Sequence, residues 1–462
     1  GYGEEEAAVW LEGNEEKKYT WNDYRRLADA YACELRRRVD APEKSYVAIA
    51  MDTCKEWLPV FWGVVRAGYN VLLLDVSLGE DMLNHMLAQA GAKALITTKE
   101  PHLTGGVKLV RARELFAAPE ADASFTPRCG DSVALCTSGT TGTSRIFVYN
   151  EKAVAEQVLS SELIFHQQTR VVADEHRRTL AFLPLHHVFG FMVNVMWCSF
   201  LGYSAIYAAN RAPQTLLTTA QRFQPDLLIA VPMLTNNLCS GRQKQLAKQS
   251  AVKRAAFKTL RGISMGMQRL MPDAGLNFAE KHLFASVNAK LLGTNLKVII
   301  LGGSHTPSEH LRMLNSIGYY TVCGFGMTET AVTSVETTLN LRERVSGSVG
   351  KPLSNTEYRI QSTDSNARTG EMIVRGETLH TGRLVEGRLT TPATMDGGWY
   401  PTGDIVRLEE GDRMFVEGRC KDVIINESGE NVYPDELEDV FSALEGVDQF
   451  CVLGLPKGDT HY

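Results

Sequence analysis

Short apolar runs of strand type alternate along this chain with longer segments of helical periodicity, and this alternation restricts the fold more than any other feature. The apolar runs stand at residues 46–50, 94–97, 179–183, 227–230 and 296–301. Helical patterns occupy residues 21–39, 55–67 and 80–90, and Trp21-Asn22-Asp23 offers a cap for the first of them. This order predicts an α/β fold, and a length of 462 residues predicts two or more subdomains.

The pattern of the sequence changes near residue 345, where the segments become short and rich in glycine. Short Gly-rich segments such as GSVGKPL, TGEMIVRG and GDRMFVEG predict the hairpins of a small β-rich subdomain at residues 345–417. A further unit begins at Gly418 with a strand, a Gly turn and a helix that starts at Pro434. We therefore divide the chain into residues 1–417 and 418–462, of which the second part is short for a stable domain on its own.

Composition narrows the classes of function. The formal net charge is -6, without the basic excess of a general nucleic-acid-binding protein, so no nucleic-acid partner is expected. The nine cysteines form no C-x-x-C pair, which predicts reduced thiols and a cytoplasmic protein. The acidic residues 1–6 have neither the basic nor the apolar region of a signal peptide, and Gly-Tyr-Gly is not a natural initiator, so we expect the chain to be trimmed there.

Two segments raise the question of a membrane. Residues 188–207 hold no charged side chain over twenty positions, which is enough to cross a bilayer. Gly, Ser and Asn dilute the segment, so a buried helix that runs into a buried strand explains it better. Residues 242–290 carry ten Lys or Arg against two acids, and one helical face is apolar, formed by Val252, Ala256, Leu260, Ile263, Met267 and Leu270. We expect a helix at residues 249–271 that packs on the body of the protein with a solvated basic side; the alternative is peripheral contact with an anionic membrane surface.

The strongest chemical signal is TSGTTGTSR at residues 137–145, directly after an apolar run. Glycines let backbone N–H groups approach a phosphate closely, hydroxyls add donors, and Arg145 supplies positive charge. The spacing is not that of the P-loop of nucleotide triphosphatases. The pattern predicts a phosphate-binding loop, although a Ser/Thr/Gly cluster on its own is also typical of a solvated loop.

The second signal is GFGMTET at residues 324–330. Phe325 offers a flat face for a purine, Thr328 a hydroxyl for a phosphate, and Glu329 a hard oxygen ligand for Mg²⁺. The alternative is a turn followed by a helix that Thr328 caps.

Three further motifs carry polar groups that suit a nucleotide and its partner acid. In YPTGD, Asp404 can accept hydrogen bonds from two ribose hydroxyls, and in GRCKD, Arg419 can contact a hydroxyl or a phosphate. LPLHHVFG places two adjacent histidines in an apolar setting, where a histidine is more often a packing residue than a catalyst. For the first two motifs the alternatives are a hairpin turn and a surface ion pair.

In this order the five motifs resemble the adenylate-forming superfamily: acyl- and aryl-CoA synthetases, firefly-type luciferases and the adenylation domains of peptide synthetases. The resemblance extends from about residue 20 to residue 462. It implies a large N-terminal domain of layered α/β subdomains with a small β-rich subdomain, followed by the start of a mobile α+β C-terminal domain. It also implies ATP, Mg²⁺ and CoA as reactants or cofactors: a carboxylic acid attacks the α-phosphate of ATP, Mg-pyrophosphate leaves, and CoA takes the acyl group from acyl-AMP.

The resemblance assigns roles residue by residue. The β- and γ-phosphates would be held by loop residues Thr137, Ser138, Gly139, Thr140, Thr141 and Gly142. Arg145 stands where the family more often has Lys. The adenine side would be formed by Gly302, Gly303, Ser304, Gly324, Phe325, Gly326 and Met327. Thr328 would contact the α-phosphate, Glu329 would bind Mg²⁺, Asp404 and Arg419 would bind ribose, and His187 would lie beside the carboxylate of the acid.

By the same resemblance, the last part of the chain would supply the residues that take part in the rotation of the C-terminal domain. Lys421 matches the hinge about which the C-terminal domain of the family rotates, and Gly429 lies in the loop that approaches the pantetheine of CoA. The family's domain continues past the point matched by Tyr462 to a lysine that bridges carboxylate and α-phosphate, and no residue of this sequence matches that lysine. We expect a mobile or cleaved remainder.

The substrate is the least determined feature. The aspartate-bearing motif that peptide-synthetase domains show at LPLHHVFG is absent, which argues against an amino acid. The stretch from Val231 through the basic segment to LGGSHTP, including VKRAAFKTL, resembles long-chain fatty acyl-CoA synthetases, so we expect a fatty or other lipophilic acid. The alternatives are an aryl acid, or a carrier-protein phosphopantetheine as acceptor in place of CoA.

Overall fold

The computed structural model describes residues 2–122, 124–137, 145–167, 177–364, 366–409 and 411–425, with isolated residues beyond 425. The strands are, in chain order, β1 (Glu6–Glu12), β2 (Glu15–Thr20), β3 (Tyr46–Ala50), β4 (Asn70–Leu73), β5 (Ala94–Thr97), β6 (Lys108–Arg111), β7 (Ser132–Cys136), β8 (Ile146–Asn150), β9 (Arg178–Ala181), β10 (Ser204–Tyr207), β11 (Leu227–Ala230), β12 (Val298–Leu301), β13 (Tyr320–Met327), β14 (Ala331–Val335), β15 (Lys351–Pro352), β16 (Thr356–Gln361), β17 (Thr369–Gly376), β18 (Gly382–Val385), β19 (Arg388–Thr390), β20 (Tyr400–Leu408), β21 (Met414–Arg419), β22 (Ile424–Ile425), β23 (Asn431–Val432), β24 (Pro456–Lys457) and β25 (Thr460–His461).

The first helices are α1 (Trp21–Arg38), α2 (Trp57–Arg66), α3 (Glu80–Ala90), α4 (Ala112–Phe116) and α5 (Glu151–Gln167). The later ones are α-helices Cys198–Phe200, Pro213–Phe223, Pro232–Ala247, Ala251–Leu270, Pro272–Phe278, Ala285–Leu291, Ser308–Ser316 and Leu341–Arg344, and π-helices Gly190–Trp197 and Ala279–Leu283. We call Ala251–Leu270 the basic helix.

Two large sheets form the body of the protein. One has nine strands in the order β15-β14-β13-β12-β11-β9-β10-β1-β2, and the other has eight in the order β19-β18-β8-β7-β4-β3-β5-β6. The central strands pair in parallel in both sheets. A smaller antiparallel sheet contains β16, β17, β20 and β21. This is the layered α/β architecture, with a small β-rich part, that the motifs predicted.

Buried apolar side chains hold these layers together. One core cluster covers the nine-stranded sheet and includes Leu180, Ile229 and Val298. A second joins Val47 of β3 and Trp57 of α2 to Phe191 of the first π-helix, and thereby links both sheets. Burying one such side chain stabilises the fold by about 1.5–3 kcal/mol. Each cluster therefore strongly stabilises the packing of the layers.

The local predictions were mostly confirmed. The runs at 46–50, 94–97 and 227–230 are β3, β5 and β11, whereas those at 179–183 and 296–301 form the shorter strands β9 and β12. α1 begins at Trp21 as predicted, but its cap is Thr20: the Thr20 hydroxyl accepts from the Asp23 N–H, and the Asp23 carboxylate accepts from the Thr20 N–H. This is a capping box, in which Asp23 is the third helical residue rather than the cap.

The segment 188–207 is a buried helix that runs into a buried strand. All eight residues of the π-helix Gly190–Trp197 are buried, a short α-helical turn follows, and β10 lies inside the nine-stranded sheet. Among the described residues no helix is both long and apolar enough to span a bilayer.

The stretch from residue 345 contributes to all three sheets. β16, β17, β20 and β21 make the small sheet, but β18 and β19 extend the eight-stranded sheet next to β8, and β15 joins the nine-stranded one. The division of the chain at residue 417 therefore stays a prediction. The helix predicted after Pro434 falls almost entirely outside the described residues.

The basic helix packs on the body of the protein as expected, but only part of its predicted apolar face is buried. Ser264 and Gln268 are fully buried, whereas Val252 is 78% and Leu270 is 84% exposed. Polar contacts fix the buried side: Gln268 donates to the Asn315 carbonyl, and Arg344 donates to the Gln268 side chain. Of the apolar face drawn from sequence spacing, Val252, Ile263 and Leu270 are therefore exposed, whereas Leu260 packs against the core of the nine-stranded sheet.

Candidate active site

A cavity of about 680 Å³ opens where the three sheets meet. The parallel strands β9, β11 and β12 end at its rim, and the chain continues from them into lining residues Leu183, Val231 and Gly302. The eight-stranded sheet contributes Thr137 after β7, and the small sheet contributes Arg419 at the end of β21. Ligands of open α/β sheets bind at this carboxyl edge.

The cavity brings together most of the residues that the motifs singled out. Those that line it are Thr137, Arg145, His187, Gly302, Gly303, Gly324, Phe325, Gly326, Met327, Thr328, Glu329, Arg419 and Lys421. Ser304 is exposed and Asp404 is buried, and neither borders the cavity. The remaining predicted residues, Ser138, Gly139, Thr140, Thr141, Gly142 and Gly429, lie outside the described residues.

The two ends of the predicted phosphate loop are fastened to each other. The Thr137 N–H donates to the Arg145 carbonyl at 3.0 Å, and the Arg145 N–H donates to the Thr137 hydroxyl at 3.1 Å. β7 and β8, which the loop connects, pair antiparallel along their whole length. Both loop ends are therefore held at the cavity wall by the sheet.

Two glycines shape the opposite wall. Gly303 has a φ of +90°, which favours glycine. A Cβ on Gly302 would lie 3.0 Å from the ring of Phe189, so any larger residue would push this lining side chain aside. These constraints favour glycine at both positions of the wall after β12.

Thr328 and Glu329 lie in a tight turn between β13 and β14, not before a helix as the alternative proposed. The Tyr149 hydroxyl of β8 donates to the Thr328 carbonyl at 2.7 Å. The His380 N–H donates to the Glu329 carbonyl at 3.2 Å, and the His380 Nδ1 lies 2.6 Å from the same oxygen. Contacts from Tyr149 of β8 and from His380, which lies between β17 and β18, thus fix the turn. The Glu329 side chain remains at the cavity.

The Glu329 carboxylate occupies a strongly cationic setting. Burial raises its pKa, and the guanidinium groups of Arg419, Arg145 and Arg383 counteract that rise. Among the described residues no three His, Cys, Asp or Glu side chains meet as a metal cage. Mg²⁺ is commonly held by one or two carboxylates together with phosphate and water oxygens, so Glu329 alone is a suitable protein ligand.

The two residues that were predicted to bind ribose, Asp404 and Arg419, contact each other in this structure. Asp404 and Arg419 are opposite residues of β20 and β21, and the Arg419 Nε donates to the Asp404 Oδ1 at 2.8 Å. Asp404 is 3% exposed, whereas the Arg419 side chain is 48% exposed. Asp404 is thus in a strand rather than a hairpin turn, and Arg419 stands between it and the cavity.

His187 lines the cavity beside a second histidine. Burial lowers the pKa of His187, and burial together with repulsion from His187 lowers the pKa of His186 to about 4. The His186 Nε2 lies 3.6 Å from the Asp75 carboxylate. Both rings are therefore neutral near pH 7, and His187 presents an uncharged imidazole to the cavity.

One end of the cavity is apolar. Its walls come from the chain after β9, the first π-helix and the strands of the nine-stranded sheet, and the lining residues are Leu183, Val188, Val193, Trp197, Val231, Ile300, Val332 and Val335. π-Helices are rare in proteins, and those that occur are frequently found at functional sites. The cavity thus joins a cationic part around Glu329 to an apolar part against the π-helix.

Sequence patterns missed Tyr149, His380 and Arg383, which approach the turn of Glu329 from other parts of the chain. No motif marks them: Tyr149 is separated from Thr328 by 179 residues, and His380 from Glu329 by 51. Phe189 and Trp197 line the cavity and were seen only as apolar residues.

Comparison with known proteins agrees with the fold. A profile of the AMP-binding enzyme family matches residues 1–382. The chain belongs to this family. The family is that of the adenylate-forming enzymes, which the five motifs resemble.

Among curated relatives of this AMP-binding chain is the long-chain-fatty-acid–[acyl-carrier-protein] ligase AEE15 of Arabidopsis thaliana, 27% identical over 365 residues that cover 69% of this chain and 48% of the relative. Long chain acyl-CoA synthetase 5 of the same plant is 26% identical over 69% of this chain and 48% of its own length. The chain therefore spans about half the length of these relatives. The 2-succinylbenzoate–CoA ligase of Geobacillus kaustophilus is 27% identical over 93% of this chain and 79% of its own length.

Solved structures agree on the fold. The O-succinylbenzoate coenzyme A synthetase of Bacillus subtilis, in complex with ATP and magnesium ion, gives a TM-score of 0.76 at 20% identity over 99% of this chain and 85% of the other. A fatty acyl CoA synthetase of Mycobacterium tuberculosis gives 0.67 at 21% identity, over 98% and 83%.

Proposed function

We propose that this AMP-binding enzyme activates a carboxylic acid with ATP and passes the acyl group to CoA. The observation that carries the proposal is the single cavity that joins Glu329, Thr328, Phe325 and Arg419 to a separate apolar end. Each group suits one part of the bound reactants. Glu329 suits the metal, Thr328 the phosphate, Phe325 the adenine ring and Arg419 the ribose, while the apolar end suits the acyl chain.

The reaction follows from this arrangement. A carboxylate oxygen of the acid attacks the α-phosphorus, the bond from that phosphorus to the bridging oxygen breaks, and pyrophosphate leaves with Mg²⁺. The thiolate of CoA then attacks the acyl carbon, and AMP leaves. Charge on the phosphates would be neutralised by Arg145 and by Mg²⁺ on Glu329, while Thr328 would contact the α-phosphate. Such catalysis consists mainly of positioning and charge stabilisation.

The acid is proposed to be lipophilic. Within the described part of the chain, the apolar end of the cavity is lined by branched aliphatic side chains and Trp197 and by no charged side chain. The neutral His187 would lie where the apolar end meets the cationic part, beside the carboxylate. An aryl acid is the alternative, supported by the succinylbenzoate ligase among the relatives.

The acceptor has an alternative as well. One relative is named as a ligase that loads acyl carrier protein, so a phosphopantetheinyl protein could replace CoA. Lys421 at the cavity edge would serve as the hinge for the second step, and Gly429 would lie near the pantetheine. Residues 1–417 would form the ATP- and acid-binding domain, and residues 418–462 the start of the rotating one.

Pyrophosphate release by the full-length protein tests the proposal. The assay combines ATP, Mg²⁺ and a panel of C8 to C16 fatty acids and benzoates, with and without CoA, and includes Glu329→Ala. The matched control is Glu12→Ala, which removes an exposed carboxylate of β1. We expect release that rises with fatty acids, requires CoA for turnover and is lost only in Glu329→Ala.

Other outcomes decide between the alternatives. Faster release with benzoates would support the aryl acid. Release without any effect of CoA, joined to acylation of a carrier protein, would support the carrier as acceptor. Absence of release with every acid would refute acid activation.

We also propose cytoplasmic location with peripheral contact between the basic helix and an anionic membrane. All nine cysteines, each within the described residues, are free thiols, as expected in a reducing compartment. Val252, Ile263 and Leu270 form an exposed apolar stripe on the basic helix. Lys253 and Lys258 lie beside this stripe and are exposed, the combination with which helices bind lipid interfaces.

Sedimentation with lipid vesicles tests the contact. The full-length protein should bind vesicles of phosphatidylcholine with phosphatidylserine, less so at high salt, and Lys253→Glu with Lys258→Glu should abolish binding. The matched control, Lys93→Glu with Lys108→Glu, reverses two exposed lysines elsewhere. Equal binding to neutral vesicles, or a dimer that the same variant dissociates, would contradict a charge-driven lipid contact.

A further inference from the structure

Arg383 lies on the strand next to the base of the predicted phosphate loop. β18 pairs antiparallel with β8, and Arg383 is directly opposite Phe147. Residues directly opposite in such a pair project from the same face of the sheet. Since side chains alternate along a strand, Arg145, Phe147 and Tyr149 also share that face.

This face of the sheet looks onto the turn of Glu329. The Tyr149 hydroxyl reaches the Thr328 carbonyl, and Arg145 borders the cavity. The His380 ring contacts the Glu329 carbonyl and stands edge-on to Phe147, 4.9 Å between ring centroids. Arg383, opposite Phe147, therefore projects toward the same region as the loop base and the metal-side carboxylate.

The Arg383 side chain packs against Phe147 and has one buried donor without a partner among the described residues. Its guanidinium carbon lies 5.8 Å from the centre of the Phe147 ring, which supports the side chain from one side. The Arg383 Nε is buried and has no hydrogen-bond partner within the described part of the chain. Buried donors without partners are uncommon in folded proteins and call for a specific reason.

We infer that Arg383 is a second phosphate-binding cation, opposite Arg145, that holds the β- and γ-phosphates of ATP and the departing pyrophosphate. The inference rests on the proposed function and adds a residue that no motif marks. The position favours the outer phosphates because β18 adjoins the strand that begins at the loop, whereas Phe325 and Arg419 reach the cavity from other strands. A guanidinium offers a planar fork that matches two phosphate oxygens at once.

Titration of ligands that differ only in phosphates tests the inference on the full-length protein. Arg383→Gln should weaken binding of Mg-ATP and of Mg-pyrophosphate by about tenfold, since one charge-assisted contact is lost. Binding of AMP, which lacks those phosphates, should stay within about twofold. Arg383→Lys keeps the charge but not the fork, so it should lie between the wild-type protein and Arg383→Gln.

The matched control is Arg388→Gln, which removes an exposed arginine from the paired strand β19 and should leave all three affinities unchanged. Equal weakening of AMP and Mg-ATP in Arg383→Gln would assign Arg383 a structural role and overturn the inference, as would no change in either. If Arg383→Gln does not fold, Arg383→Lys gives the same comparison of Mg-ATP with AMP. These titrations need no turnover, so a wild-type protein that binds ATP but activates no acid would refute the proposed function without refuting the role of Arg383. A wild-type protein that binds no ATP would overturn both.

Discussion

Tyr149→Phe should separate the positioning of the Glu329 turn from the general stability of the fold. The change removes one hydroxyl and leaves the fully buried ring in place. The Thr328 carbonyl then loses the donor that lies 2.7 Å away. An unsatisfied buried carbonyl costs about 1–3 kcal/mol, and because Thr328 borders the cavity, where water can replace the hydroxyl, we expect the lower end, about 1 kcal/mol.

Tyr69→Phe is the matched control. The Tyr69 hydroxyl donates to the Val39 carbonyl at 2.8 Å, again from a buried ring to a backbone oxygen, but at a point that does not border the cavity. Urea denaturation should show a loss of about 1–3 kcal/mol for Tyr69→Phe, because its acceptor is more completely buried.

Only Tyr149→Phe should weaken the binding of Mg-ATP. A cost of about 1 kcal/mol borne by the turn corresponds to about a fivefold rise in Kd for Mg-ATP, whereas Tyr69→Phe should leave this Kd unchanged. Isothermal titration of both variants provides the measurement. An unchanged Kd in Tyr149→Phe, despite lower stability, would refute the argument that this hydrogen bond positions Thr328 and Glu329. Weaker binding in both variants would attribute the effect to the whole fold.

Three further outcomes are expected at the site. Glu329→Gln should lower the rate of pyrophosphate release by about 100-fold and raise the Mg²⁺ concentration needed for half-maximal release, so an unchanged Mg²⁺ titration would contradict the assignment of the metal. Asp404→Asn should raise the Kd for AMP by about tenfold but not that for 2′,3′-dideoxy-AMP, and equal effects on both nucleotides would exclude a ribose contact. Because the pKa of His186 falls from 6.5 to about 4 on folding, the unfolded chain takes up a proton on this ring between these pH values before the folded protein does. The free energy of unfolding should therefore fall by about 3 kcal/mol as pH drops through that window, and His186→Asn should flatten this part of a urea-denaturation pH profile, whereas an unchanged slope would refute the burial argument.

The basic helix shows where sequence spacing failed and why. Hydropathy alone selects the stripe with Val252, Ile263 and Leu270 as the packing face, since apolar residues are usually the buried ones. The structure buries the side with Gln268 instead, because Asn315 and Arg344 satisfy its amide. A buried polar side chain is stable only with its partners, and those partners come from distant positions in the chain.

The sequence by itself determined the features that depend only on residues close together in the chain. Runs such as Tyr46–Ala50 are recognisable because a buried strand needs a short apolar stretch, and the loop ends at Thr137 and Arg145 are recognisable because phosphate chemistry restricts the residue types. The order of the motifs then identified the family that the comparison confirmed.

Only the tertiary structure decided which groups support these motifs. Tyr149 and His380 hold the turn of Glu329 from positions far away in the chain, and Arg383 reaches the same region through the pairing of β18 with β8. Asp404 is opposite Arg419 because two strands of the small sheet align in one register. Such contacts leave no periodic trace, because they arise from the register and packing of strands that lie far apart in the sequence.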